Sequence, residues 1–245
     1  MRTAKTVLTV IQERGKQKKP IERVYKLLFN RELYLNAYAK LYPNNGAMTK
    51  GVTNETVDGM SIQKIDRMIE ILREEKYQWK PARREYIKKK NGKKRPLGIP
   101  VWGDKVLQEV MRQILEAYYE PQFSEHSHGF RPNRGCHTAL QEIQVWKGTR
   151  WFIEGDISQY FDTIDHKILL EILARNIHDG RFIRLVSNML EAGYLEEWKF
   201  KQTISGVPQG GVISPILANI YLNEFDNWIE EVLIPKYTKG KRTEI

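Results

Sequence analysis

Asn91-Gly92 lies between the runs Arg84-Glu-Tyr-Ile-Lys-Lys89 and Lys94-Arg-Pro-Leu-Gly-Ile-Pro-Val101, and it narrows the fold more than any other feature. An Asn-Gly pair between two strand-like runs favours a type I′ hairpin, because both central residues then need positive φ. Between Lys80 and Arg95 the sequence carries nine basic residues and one acid, Glu85. A basic run is usually a solvated face. A hairpin is stiff enough to hold ammonium and guanidinium groups over phosphates, and phosphate binding is the stronger reading here.

The whole chain shares this bias. Its 245 residues carry a net charge of +10, with 41% hydrophobic and 29% charged residues, which suits a globular protein with a sizeable core and a polyanionic partner. No apolar run approaches the ~20 residues needed to span a bilayer, and no signal-peptide core opens the sequence. The single cysteine, Cys136, excludes an internal disulfide framework and fits a reducing cytoplasm.

Helical spacing recurs along the chain. Val24, Leu27, Leu28, Leu35, Tyr38 and Leu41 predict a helix over 22–42, stopped at Pro43-Asn-Asn-Gly46. Ser61 caps a helix with the face Ile62, Ile65, Ile69 and Leu72. Asp104 begins an apolar helix that runs through Tyr118 to Pro121. Helices are also predicted over 137–147 and 165–174, and after a cap at Asp179, with Gly193 closing the last. Residues 1–20 read equally as a basic arm or a solvated helix end, and residues 235–245 as basic and unpatterned. The loop Ser124–Gly135 carries Arg131 and Arg134. Its neighbourhood holds His126, His128, Cys136 and His137, but the spacing matches no common zinc pattern, so loop packing or contacts to an RNA backbone are preferred.

Two stretches carry the chemistry. Trp151–Ile153 reads as a short buried strand that ends at a carboxylate, Asp156, with Tyr160 and Phe161 following. A carboxylate at a strand end can hold a hard cation such as Mg²⁺, although a solvated turn aspartate is as good a reading from this stretch alone. Phe200–Ile204 is a candidate strand, and Ser205-Gly-Val-Pro-Gln-Gly-Gly211 a turn that lets backbone approach a ligand closely. A helix start follows, with Ser214 as N-cap and Pro215 at the first helical position. A basic hairpin, a strand-end carboxylate and a Gly-rich turn together suit chemistry on a polyphosphate.

Four stretches in order resemble the group II intron-encoded reverse transcriptases, or intron maturases. They are Lys93-Lys-Arg-Pro-Leu-Gly-Ile-Pro100, His128-Gly-Phe-Arg-Pro-Asn-Arg134, Glu154-Gly-Asp-Ile-Ser-Gln-Tyr-Phe-Asp-Thr-Ile164, and Gly206-Val-Pro-Gln-Gly-Gly-Val-Ile-Ser-Pro-Ile-Leu-Ala-Asn-Ile-Tyr-Leu222. The resemblance covers about residues 22–235. It implies an α+β right-hand polymerase, with helix-rich fingers bearing a basic β-hairpin and an incomplete palm. The implied division is an N-terminal extension and fingers over 1–104, first palm part over 105–163, further fingers over 164–212, and a palm helix over 213–245.

By resemblance, Asp156 is the first catalytic carboxylate, and it holds Mg²⁺ with the Ile157 carbonyl; the family uses two such ions. Arg95 and Lys89 match a triphosphate clamp, Phe161 the aromatic against the incoming sugar, and Gln209 with Gly210 the turn against the incoming nucleotide. Phe161 also reads as plain core and Gln209 as a plain turn residue. Lys88, Lys90, Lys93, Lys94, Arg131 and Arg134 are the expected RNA contacts. Implied partners are intron RNA, an RNA template and primer, and a deoxynucleoside triphosphate, in a bacterial cytoplasm with no membrane.

The pattern departs in one respect. The family's Tyr-X-Asp-Asp motif is missing, and no Asp-Asp pair occurs in the chain. The sequence therefore reads as a truncated polymerase that binds RNA without copying it. An open palm edge would favour a homodimer. A retron-type reverse transcriptase and a non-catalytic RNA-binding splicing factor are the alternatives.

Overall fold

The structure, a computed structural model, describes residues 2–88, 92, 94–148, 150–197, 199–203, 205–207 and 210–238. Its centre is helix α4 (Trp102–Tyr119), which is buried on most of its surface, with Val106, Leu107, Val110, Met111, Ile114, Leu115 and Tyr118 all inaccessible to solvent. A helix of that kind has to be enclosed by others. Helices α1 (Ala4–Lys16) and α2 (Arg31–Leu41) pack directly on it. Gly15 makes the α1 contact: a Cβ there would lie 2.1 Å from the Tyr118 carbonyl oxygen. The basic N-terminal segment is thus a packed helix.

The predicted 22–42 helix is two elements. A 3₁₀ stretch, Val24–Phe29, gives way at Asn30, whose side chain accepts the Glu32 N–H and caps α2. Ser61 caps α3 (Ile62–Arg73) as expected, accepting the Lys64 N–H at 3.2 Å.

The hairpin forms. Strands β2 (Ala82–Lys88) and β3 (Lys94–Ile99) pair antiparallel from Arg83↔Ile99 to Lys88↔Lys94, after β1 (Ile21–Glu22) earlier in the chain. Gly92 has φ +78°, while Asn91 lies outside the described residues, so the turn type is not defined here. Helices α5 (Cys136–Gln144), α6 (Tyr160–Thr163) and α7 (His166–Asn176) follow. Strand β4 (Ile177–His178) pairs parallel with β1. Asp179 caps α8 (Gly180–Leu190) and also accepts the Tyr25 N–H, tying α8 to the N-terminal region. Strands β5 (Tyr194–Glu196) and β6 (Lys199–Lys201) extend the hairpin into a four-stranded sheet of order β3-β2-β5-β6, with β2 and β5 parallel.

Helix α9 (Ser214–Trp228) begins at Ser214, with Ile213 rather than Ser214 in the cap position. It passes through a π-helical turn, Ile229–Leu233, into α10 (Ile234–Thr238), a segment expected to be unpatterned from residue 235. One hydrophobic core runs from Ala4 to Ile220 and is continuous across the boundaries expected at 104, 163 and 212.

The expected strand at Trp151–Ile153 is absent. These residues are irregular, and their side chains are 88%, 65% and 93% exposed. An extended apolar run becomes a buried strand only when a neighbouring strand takes up its N–H and C=O groups, and no described segment pairs with this one.

At the start of α4, Asp104 is buried and accepts the Tyr77 hydroxyl at 2.6 Å and the Lys80 N–H at 3.0 Å. Burial outweighs these bonds and raises its pKa to about 6. The folded state then keeps a proton that the unfolded state has lost, so this carboxyl reduces stability as pH rises from about 4 to about 6. Urea unfolding across that range is expected to show a decline of about 2–3 kcal/mol that Asp104→Asn removes; equal pH slopes in the two proteins would refute the assignment.

Candidate functional site

The Gly-rich segment is strapped between two parts of the molecule. On one side Gly206 has φ +87°, and a Cβ there would lie 2.8 Å from the Asp162 backbone. Its N–H donates to the Ile164 carbonyl at 2.8 Å, the Val207 N–H to the Phe161 carbonyl at 2.7 Å, and the Ser205 hydroxyl to the Asp162 carbonyl at 3.2 Å. His166 Nε2 lies 2.7 Å from the Gly206 carbonyl oxygen and donates to it. On the other side Gly210 has φ +105°, and a Cβ there would lie 2.7 Å from Leu97 Cδ1 and 2.8 Å from the Gly98 carbonyl oxygen of β3. Two residues after Gly210, buried Gln108 of α4 accepts the Val212 N–H at 2.9 Å. Only glycine tolerates both the backbone angle and the approach at 206 and 210.

Phe161 is half-buried in α6, whose lead-in residue Gln159 has φ +52°. The Tyr160 hydroxyl donates to the Ala218 carbonyl at 2.7 Å and fixes this turn to α9. Phe161 meets Phe130 edge-to-face, with ring centres 6.2 Å apart. Phe130 is 69% exposed and has φ +56°, an unusual backbone state for a bulky residue and one that clusters at functional sites. Sequence reasoning passed over Phe130, Gln108 and His166. Gln108 lies next to Leu107 within the predicted apolar helix, and a buried amide needs a partner.

The carboxylate end is open. Asp156 and Ile157 lie in the exposed irregular stretch that replaces the expected strand. Among the described residues no group of three His, Cys, Asp or Glu side chains could hold a metal ion. Asp156 alone is too small a donor set for Mg²⁺, which needs further carboxylates, waters or phosphates.

On the hairpin, Lys88 and Lys94 face each other across the strands, both exposed and without an ion pair among the described residues. Arg95 pairs with Ile87 in the ladder. Lys89, Lys90, Lys93 and Gln209 lie outside the described residues. Nearer the base the charge is spent on the protein itself. Arg83 pairs with Glu85 and donates to the Lys50 carbonyl, and Arg84 stacks 3.6 Å over the Tyr194 ring. Glu196 accepts from Lys201 and Tyr86, and those bonds hold its carboxyl below the usual range.

Arg131, an expected RNA contact, is tied into its own loop. Its guanidinium is buried, and all three nitrogens are engaged: Nε and Nη2 with Glu120, and Nη1 with the carbonyls of Ser124 and Ser127. A side chain so committed orders its own loop and has no donor left for RNA. Arg134, half-buried, donates to the Glu125 carbonyl. His126 and His128 both meet Glu142; despite partial burial, the two imidazoles hold this carboxyl below its usual range. Cys136 is exposed and apart from that cluster's hydrogen bonds. Gln108→Ala would leave the Val212 N–H buried and unpaired, and is expected to cost about 1–3 kcal/mol in urea unfolding; an unchanged midpoint would show that the strap is held elsewhere.

Residues 87–238 match the family model described as reverse transcriptase (RNA-dependent DNA polymerase). The chain is 50% identical over 209 residues to the group II intron-encoded protein LtrA of Lactococcus lactis subsp. cremoris, covering 84% of this chain and 35% of that protein. It is 47% identical over 237 residues to an uncharacterized 91 kDa protein in the cob intron of Schizosaccharomyces pombe, covering 94% of this chain and 29% of that one. Protein YkfC of Escherichia coli is 40% identical over 90% of this chain and 59% of its own length. A chain of the partial Cas6-RT-Cas1–Cas2 complex superposes with a TM-score of 0.55 at 20% identity, covering 85% of this chain and 35% of its own, which supports the shared fold. The chain spans about a third of the length of LtrA. With the motifs strapped together as described, and with matches over most of its length, the chain belongs to the reverse transcriptase (RNA-dependent DNA polymerase) family, among the group II intron-encoded proteins.

Proposed function

We propose that this chain supplies the fingers and first palm part of a group II intron reverse transcriptase and maturase. In that role it grips intron RNA to assist splicing, and in the complete protein it takes part in copying RNA into DNA. The observation that carries the RNA-binding half is the hairpin: exposed Lys88 and Lys94 project from a paired ladder that is anchored through Leu97 and Gly98 to the Gly210 turn. Rigid cations over a polyanion bind through counterion release.

In the copying half, Arg95 and Lys89 meet the triphosphate, Phe161 lies against the sugar, and Gln209 with Gly210 against the nucleotide. Asp156 and the Ile157 carbonyl are the part of a Mg²⁺ set that this chain contributes. The remaining carboxylates are not in its sequence, which has no Asp-Asp pair. The division into fingers over 1–104 and 164–212, and palm over 105–163 and 213–245, goes with this reading.

Three measurements follow. The purified 245-residue chain is expected to show no primer extension in Mg²⁺, and any extension above background would contradict the proposal. Its RNA affinity is expected to fall steeply with salt. Neutralising Lys88, Lys89, Lys90, Lys93 and Lys94 together should flatten the slope of log K against log salt by about 3–4; an unchanged affinity and slope would remove the hairpin assignment. The exposed apolar run Trp151–Ile153 supports self-association. Light scattering at tens of micromolar is expected to give a dimer mass, and a monomer mass would dismiss the homodimer.

A further inference from the structure

A cavity of about 200 Å³ opens behind the Gly210 turn, at the base of the hairpin. Its walls are mostly apolar, from Leu41, Ala47, Leu97 and Val212, and they include Trp102 and Lys105 but no acidic residue. Lys105 is only 9% exposed. Its ammonium donates to the carbonyls of Gly46 at 3.2 Å and Thr49 at 3.1 Å, and lies 5.9 Å from the Trp102 ring centre.

An ammonium has three donors; among the described residues this one has two carbonyl acceptors and the Trp102 ring, and no carboxylate. Burial first, and the positive charge of Arg83 second, hold the Lys105 pKa below the ordinary lysine value. Trp102 is buried too, and its indole N–H has no partner. Lys105 and Trp102 thus both border this cavity, and Trp102 also borders a second one beside Glu55 and Met68. Buried charge is normally paired, and an unpaired indole N–H is likewise uncommon.

We propose that this cavity is a binding site for a small carboxylate with an apolar, preferably aromatic, body. The carboxylate accepts from Lys105 and the ring fills the space beside Leu97 and Ala47. The cavity is too small and too apolar for a nucleotide, so the site is separate from the RNA surface of the hairpin. Because Gly210 and Leu97 form part of the wall, an occupant touches the turn from behind. The binding claim itself does not depend on the polymerase reading.

Benzoate is the probe, with benzyl alcohol as its uncharged counterpart. The readout is the Trp102 indole N–H resonance of the 245-residue chain, assigned by Trp102→Phe. Benzoate is expected to shift it saturably and to bind at least about tenfold more tightly than benzyl alcohol, the margin of a charge-assisted hydrogen bond. Lys105→Met should bring benzoate down to the level of benzyl alcohol. Ala47→Leu, which fills the cavity and leaves the Lys105 bonds in place, should abolish both, and it carries the test if Lys105→Met does not fold. No saturable shift in the wild-type chain, equal affinity for the two probes, or benzoate binding unchanged in Ala47→Leu would each overturn the proposal.

Discussion

The close approach of two glycines to neighbouring backbone holds the candidate site together. Gly206 lies against the Phe161–Asp162 turn and Gly210 against Leu97–Gly98, each at a positive φ and each with no room for a Cβ. Just past Gly210, Gln108 of the central helix adds a further anchor by accepting the Val212 N–H. A basic hairpin and an aromatic turn that are more than sixty residues apart in sequence are joined in this way. Any function that needs phosphate-binding cations and an aromatic face in fixed relation depends on these contacts. They are short-range and steric, so they fail abruptly if either glycine gains a side chain.

The distribution of charge follows from the same arrangement. At the base of the hairpin, Arg83 and Arg84 are absorbed by Glu85, the Lys50 carbonyl and the Tyr194 ring. Towards the tip, Lys88 and Lys94 remain available. At the hairpin's base arginines are thus used as structure, consistent with the planar, multidentate guanidinium. Arg131 repeats the pattern in the Ser124–Gly135 loop, where every nitrogen is occupied by protein oxygen.

Much of the fold could be read before the structure. The hairpin, the Ser61 and Asp179 caps and the central helix all rest on local signals: turn chemistry, capping side chains, and 3.6-residue spacing. What failed was non-local. Trp151–Ile153 has the composition of a buried strand, but strand formation depends on a partner that sequence inspection of the run itself cannot supply. The burial of Arg131 against Glu120 comes likewise from tertiary packing, which its motif does not show. The π-helical turn at Ile229–Leu233 and the packing of α1 through Gly15 were hidden for the same reason. Of the candidate site, the Gly-rich turn was visible and its two anchors were not, since Leu97 and Asp162 carry no pattern that marks them as neighbours of residues 206–210.

The most direct test of this account is hydrogen exchange at the Val207 and Val212 amides, which report the two sides of the strap. If the strap joins the hairpin to the aromatic turn, both amides will be protected and will exchange at rates close to those of the β2–β3 ladder. If Val212 or Val207 exchanges at the rate of a free loop while the ladder stays protected, the hairpin and the Phe161 turn are held independently, and the proposed site loses its fixed geometry.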